Sequence, residues 1–201
     1  MARGGVAATA PSVAAEAARR LGVSIRFDPA ALAGFTRRMP DLFLAEQQRI
    51  DPSYQPLLYT IEHDHGRAHL DRIDDAFGVP HPQWTDESAA QAIAVLDAMA
   101  YPDTMPLGGL RGVAGLSLAH VARYLHFFHH TYPLYDAATC RGLARLGVDV
   151  PHVKDRDPTV YGLFVAAIER LKEDAPFWSF PEYNVSLQRV VQGALAHYGR
   201  G

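Results

Sequence analysis

The chain has 201 residues, 48% of them hydrophobic and 20% charged, with a formal net charge of −3 and a sequence pI of about 6.3. That length is enough to bury on the order of 70% of the unfolded surface in one domain or two closely packed helical lobes. The single cysteine, Cys140, rules out an internal disulfide, a four-cysteine iron–sulfur cluster and a zinc knuckle. No window reaches 18 apolar residues, which excludes a membrane-spanning helix, and MARGGVAATAPSVAAEAARR lacks the apolar core of a secretory signal. The chain therefore reads as a cytoplasmic protein that calls for no cofactor.

Taken in order, the sequence is helix with short breaks. Residues 1–11 have a disordered composition, and 12–201 read as one helical domain. Ser12 caps a short helix ending at Gly22, and Val23–Phe27 is a brief extended stretch. Asp28-Pro29 is a helix start, with proline tolerated in the first turn. Helices are predicted over 30–38, 41–50 and 55–77, the last ending near Gly78 and Pro80. Thr85 opens another helix running to Ala100, with Ala90, Ile93, Ala94, Leu96 and Met99 as its apolar face.

The most informative segment is 110–147. Gly112 and Gly115 bracket a tight hairpin, where the backbone turns sharply. From Leu116 to Phe128, Leu118, Val121, Ala122, Leu125 and Phe128 recur at steps of three and four, which is one buried helix face. Asp136 is a good N-cap for the next helix and Gly147 a good residue just beyond its end. Beyond it, VDVPHVKDRDP is a polar link and Asp157-Pro158 begins a helix to about Leu171. APFWSFPEYN is an aromatic, proline-broken loop, and Val185–Tyr198 is the closing helix. Few strand signals survive, so the fold class is all-α.

The hairpin and its spacing to the next loop resemble the helix-hairpin-helix base-excision DNA glycosylases (the HhH-GPD superfamily). In that family a motif of the form L-P-G-V-G-x-[KS]-x-A is followed about sixteen residues later by h-P-h-h-D and a helix. Leu110, Gly112, Val113, Gly115, Ser117 and Ala119 are the counterparts, followed by Tyr132-Pro133-Leu134-Tyr135-Asp136, in a motif spanning about 107–147. The resemblance implies a two-lobed helical fold, a DNA partner carrying a flipped base, and a monofunctional glycosidic hydrolysis. It also leaves room for a monovalent cation at the hairpin. By the same resemblance Arg111, Gly112, Val113, Ala114, Gly115 and Ser117 form the DNA-binding hairpin, and Asp136 is the catalytic carboxylate. The bifunctional members carry an amine nucleophile in the hairpin helix. Here the aligned residue is Ser117, and the chain's two lysines, Lys154 and Lys172, lie elsewhere.

The chemistry fits the residue types. Cleaving an N-glycosidic bond builds positive charge on the sugar, and a carboxylate beside the anomeric carbon stabilises that charge and orients water. Arg123 and Arg141 are candidate phosphate contacts, and with Arg111 and Arg145 they make 110–147 locally cationic against the single acid Asp136. Glu62, Asp64, Asp71, Asp74 and Asp75 gather the acids elsewhere. Phe127, Tyr132, Tyr135 and Trp178, with Tyr183, are candidates to line a base pocket.

Two other readings stay open on the same residues. An aspartate before Ala-Ala is an ordinary N-cap, and the net charge is acidic, so the chain also reads as a non-catalytic helix-hairpin-helix module for nucleic acid or protein. His63-Asp64-His65 with His69 points instead to a metal-dependent hydrolase, since His65 and His69 are four apart on one helix face.

Overall fold

A computed structural model describes residues 12–47, 57, 66–110, 113, 115–129, 131–153, 157–174 and 185–201. Among these the protein is all-α, with no strand. Its helices are α1 (Val13–Leu21), α2 (Pro29–Gln47), α3 (Arg67–Ala76), α4 (Asp86–Asp97), α5 (Leu118–His129), α6 (Ala137–Arg145), α7 (Pro158–Asp174) and α8 (Leu187–Arg200). A short 3₁₀ helix, Met105–Leu110, precedes the hairpin.

The cap residues set most of the boundaries. The Ser12 hydroxyl accepts from the Ala15 N–H, and Gly22 ends α1 with φ of 67°. Asp28 Oδ1 accepts from the Ala31 N–H at 2.7 Å and so starts α2. Thr85 and Ser88 satisfy each other's backbone N–H in a capping box at the start of α4. Ser186 caps α8 through the Arg189 N–H.

Three expectations change. The helices expected over 30–38 and 41–50 form one continuous α2, with Pro40 inside it. Its apolar residues Phe35, Met39, Leu42 and Phe43 are all buried on one face, and that packing outweighs the break proline would otherwise impose. The 3₁₀ helix was not foreseen, because MPLGGL carries no helical period. The link after Gly147 is less polar in place than in sequence: Val148 and Val150 are buried. The segment expected to be disordered, 1–11, and most of the predicted helix before Arg67 lie outside the described residues.

The N- and C-terminal helices pack together: α8 lies against α6, α2 and α7, while α1 lies on α7. The middle helices α3, α4 and α5 pack on one another, and the 3₁₀ helix touches both α4 and α7. One continuous core runs through all of them except α1. The tightest approach is between α6 and α8. A Cβ added at Gly199 would fall on the Ala138 carbonyl, and one added at Gly142 would fall on the Leu195 carbonyl, both inside van der Waals contact. The guanidinium groups of α6 hold the end of α8. Arg141 Nε donates to the Gly199 carbonyl at 3.1 Å, and Arg145 donates to the Tyr198 carbonyl with its guanidinium 5.6 Å over the Tyr198 ring.

Gly142→Ala and Gly199→Ala should each lower the unfolding free energy by about 2–3 kcal/mol or more, because the clashing atoms are backbone and cannot swing away. Gly34→Ala, at an α2 position with open space around it, should instead stabilise by about 0.4–1 kcal/mol. Urea denaturation of the three variants checks both signs.

Candidate functional site

The loop 131–136 runs from the end of α5 to the start of α6, and its backbone polar groups are taken up by buried side chains. His126 Nδ1–H donates to the Tyr132 carbonyl at 2.7 Å. The Tyr161 hydroxyl, on α7, donates to the Pro133 carbonyl at 2.7 Å. Gln192, on α8, takes both polar groups of Leu134: its Oε1 accepts the Leu134 N–H at 3.1 Å, and its Nε2 donates to the Leu134 carbonyl. His126, Tyr161 and Gln192 are all at least 97% buried. A backbone group left unpaired at such depth would cost about 1–3 kcal/mol, so each of these contacts constrains the loop strongly.

The loop's own aromatic rings point into the core. The Tyr132 hydroxyl donates to the Asp103 carbonyl at 2.8 Å. The Tyr135 hydroxyl donates to the Pro151 carbonyl and accepts from the Val153 N–H at 2.8 Å, tying the loop to the link after α6. The rings of Tyr132, Tyr161 and Phe164 stack in series, with Tyr135 edge-on to Phe164 at 5.3 Å. Burial raises the hydroxyl pKa of Tyr132, Tyr135 and Tyr161, so all three stay neutral donors.

Asp136 emerges from this loop as the N-cap of α6, partly buried. Its Oδ1 accepts from the Thr139 N–H at 2.9 Å and its Oδ2 from the Thr139 hydroxyl at 2.6 Å. Each carboxylate oxygen can accept about two hydrogen bonds, so each keeps capacity beyond the one it uses here. Cys140, one turn on, is buried, and desolvation followed by the nearby Asp136 carboxylate pushes its thiol up to about 12, which leaves it inert.

The sequence-predicted hairpin is described only in part. Val113 is buried, with its N–H on the Leu110 carbonyl, and Gly115 is exposed with φ of 76°. Arg111, Gly112 and Ala114 lie outside the described residues. Ser117 starts α5. Its hydroxyl donates to His120 Nδ1 at 2.7 Å while accepting from the His120 N–H, and His120 Nε2–H donates to the Pro80 carbonyl at 3.3 Å. Burial, then the Arg123 charge, lowers the His120 pKa and keeps the ring neutral, as this bonding requires.

Several candidates stand in different surroundings from those their sequence suggested. Phe127, Tyr132 and Tyr135 are core residues, at most 3% exposed, rather than open ring faces. Trp178 and Tyr183 lie outside the described residues. Arg123 is only partly exposed: its guanidinium sits 5.3 Å over the Phe77 ring, its Nε is buried without a hydrogen-bond partner among the described residues, and burial lowers its pKa. Arg141 is exposed, with one N–H engaged at the end of α8. His69 is 1% exposed with its ring 5.5 Å from Phe128, which makes it a core histidine. His63, Asp64 and His65 lie outside the described residues. Among the described residues no three His, Cys, Asp or Glu side chains are grouped to hold a metal. Lys172 is engaged with Glu169 at 2.6 Å. No described helix is long and apolar enough to cross a membrane.

The sequence reading passed over a second buried polar group. Asp74 is 0% exposed; its Oδ2 accepts from the Tyr124 hydroxyl at 2.5 Å, and its Oδ1 is buried without a partner among the described residues. The signal was present: Asp74 stands four residues from Leu70 and next to Ile73, on the apolar face of α3. Gln192 carries the same signal among Val190, Val191, Ala194 and Leu195 of α8. Desolvation raises the Asp74 pKa to about 6, against the opposing hydrogen bond from Tyr124 and the charges of Arg123 and His81, with Asp71 adding to the rise.

Comparison with protein-family models, curated proteins and solved structures finds no match to this chain.

A carboxyl whose pKa is raised on folding contributes stability that is full below its unfolded pKa, near 3.8, and is lost as pH rises through about 6. The melting temperature of Asp74→Asn should therefore gain on wild type between pH 5 and pH 7.5. A difference that does not change with pH would count against this account of Asp74.

Proposed function

We propose that the chain is a monofunctional DNA glycosylase-like hydrolase of the two-lobed helix-hairpin-helix type, acting on DNA in the cytoplasm. The observation that carries the reading is the placement of Asp136. It is a partly exposed carboxylate at the end of a loop whose backbone is bonded by three buried side chains, with both oxygens oriented by Thr139 and each with acceptor capacity left. An oriented carboxylate of this kind stabilises the positive charge that grows on the sugar as the N-glycosidic bond breaks, and it orients the attacking water. A lysine-nucleophile route has no support in the described residues, since Lys172 is paired with Glu169. Backbone N–H groups around the exposed Gly115, just before α5, suit a DNA phosphate, with the exposed Arg141 as a further cation. The arrangement of α8 beside α2, α6 and α7, with α3, α4 and α5 packed among themselves, supports the two-lobed reading.

A second reading, a non-catalytic helical binding module, is favoured by one observation. The two Thr139 hydrogen bonds account for Asp136 as a helix cap alone.

Asp136→Asn separates the two, because asparagine caps a helix about as well as aspartate but lacks the charge. The test is excision from labelled duplexes carrying alkylated, deaminated, oxidised or mismatched bases, developed with and without alkali. Wild type should give strand cleavage only after alkali. Asp136→Asn should lose about 10²–10⁴-fold in rate with its DNA affinity kept. No excision across the panel, with binding retained, would decide for the binding module. The role of Arg141 is checked separately: Arg141→Ala should lower the salt-dependence slope of DNA binding by about one phosphate contact. Arg123→Ala should leave that slope unchanged and reduce stability instead, since the side chain is packed on Phe77.

A further inference from the structure

We infer that Gln192, acting with Tyr161 and His126, is the positioning device for the Asp136 carboxylate; the inference rests on the catalytic reading of Asp136 given above. A carboxylate that must face a developing charge gains from being held still, since a misplacement of about 1 Å can cost on the order of a hundredfold in rate. Asp136 is carried by a loop, and loops are ordinarily the mobile part of a fold. Here three consecutive residues before Tyr135-Asp136 are held from three different helices.

Tyr132 is held from α5 by His126, Pro133 from α7 by Tyr161, and Leu134 from α8 by Gln192. Gln192 is the central member, because it is the one side chain of the three that bonds both the N–H and the carbonyl of a single residue, as a paired strand would. An apolar residue at 192 would pack equally well on the face of Val191 and Leu195, so packing gives no reason for an amide there. The amide matches the N–H and the carbonyl of Leu134, one donor and one acceptor. Tyr135 then adds a fourth anchor on the far side, through the Pro151 carbonyl and the Val153 N–H. From that fixed frame the peptide enters α6, and Thr139 orients the carboxylate itself. Gln192, Tyr161 and His126 touch no reacting atom; they act through the backbone.

Two variants of Gln192 read this out. Gln192→Leu removes both hydrogen bonds. Gln192→Glu keeps an acceptor for the Leu134 N–H, but when ionised it sets a carboxylate against the Leu134 carbonyl. When protonated it restores a donor to that carbonyl. On a duplex that wild type excises, Gln192→Leu should lower kcat on the order of a hundredfold, with KM and duplex affinity unchanged, at a temperature where it is folded. The ratio of the Gln192→Glu rate to the wild-type rate should climb as pH falls from 8 to 6, while the Gln192→Leu ratio stays flat. A purely structural role would lower the melting temperature of both without that pH-dependent recovery in kcat. Tyr161→Phe removes a single oxygen and serves if Gln192→Leu does not fold; its kcat should drop about tenfold at unchanged KM.

A folded Gln192→Leu, or Tyr161→Phe in its place, that turns over at the wild-type rate would overturn the inference and leave catalysis by Asp136 standing. A wild type that excises no base from any duplex would remove the catalytic reading, and the positioning role with it. The two failures are thus told apart by whether wild type turns over.

Discussion

The close approach of α6 and α8 is the constraint on which the rest of the molecule depends. Gly142 and Gly199 let the two helix backbones meet without side chains between them, and Arg141 and Arg145 of α6 hold the terminal carbonyls of α8. This contact fixes α8 in the position from which Gln192 reaches the loop before α6. It also lets α8 carry Gly193 against Phe43 and Tyr198 against Phe35, so that α2 is drawn into the same packing. Because the interface is backbone against backbone, it has little capacity to relax, and small changes there should propagate to the loop.

The loop shows how a segment without regular structure can be as determined as a helix. The carbonyls of Tyr132, Pro133 and Leu134 and the Leu134 N–H find buried side chains instead of a ladder, and the aromatic rings that project from the loop fill the core below. Removing any one partner leaves a buried carbonyl unsatisfied, which costs more than the bond contributed when formed. The result is a carboxylate standing at the edge of a rigid floor. That is the arrangement a glycosidic hydrolysis would use, and it is also what a firm helix cap requires.

The middle helices hold the opposite case. Asp74 is buried with one oxygen bonded to Tyr124 and the other without a partner among the described residues, an arrangement that favours the protonated acid and makes this part of the fold sensitive to pH near 6. Arg123, which the sequence marked as a phosphate contact, instead lies beside this group with its guanidinium over Phe77. Tertiary packing turned a surface charge of the sequence into a partly buried cation.

By itself the sequence determined the all-α class, most helix boundaries and the cap residues, because these rest on local signals. Ser12, Thr85 and Asp136 hold N–H groups three residues away, and Gly22 and Gly147 take the positive φ that ends a helix. It marked Asp136 as a cap, and the resemblance of the hairpin and the Tyr132–Asp136 segment to the glycosylase motif made it a candidate for chemistry. Only the tertiary structure decided what surrounds it. That Gln192 closes on Leu134, 58 residues before it in the chain, depends on how α8 lies against α6, and no periodicity reports that. Likewise Phe127, Tyr132 and Tyr135 are aromatic in the sequence without a direction, and packing turned their faces inward. Local hydrogen bonds are written in neighbouring residues, whereas burial belongs to partners brought together from afar.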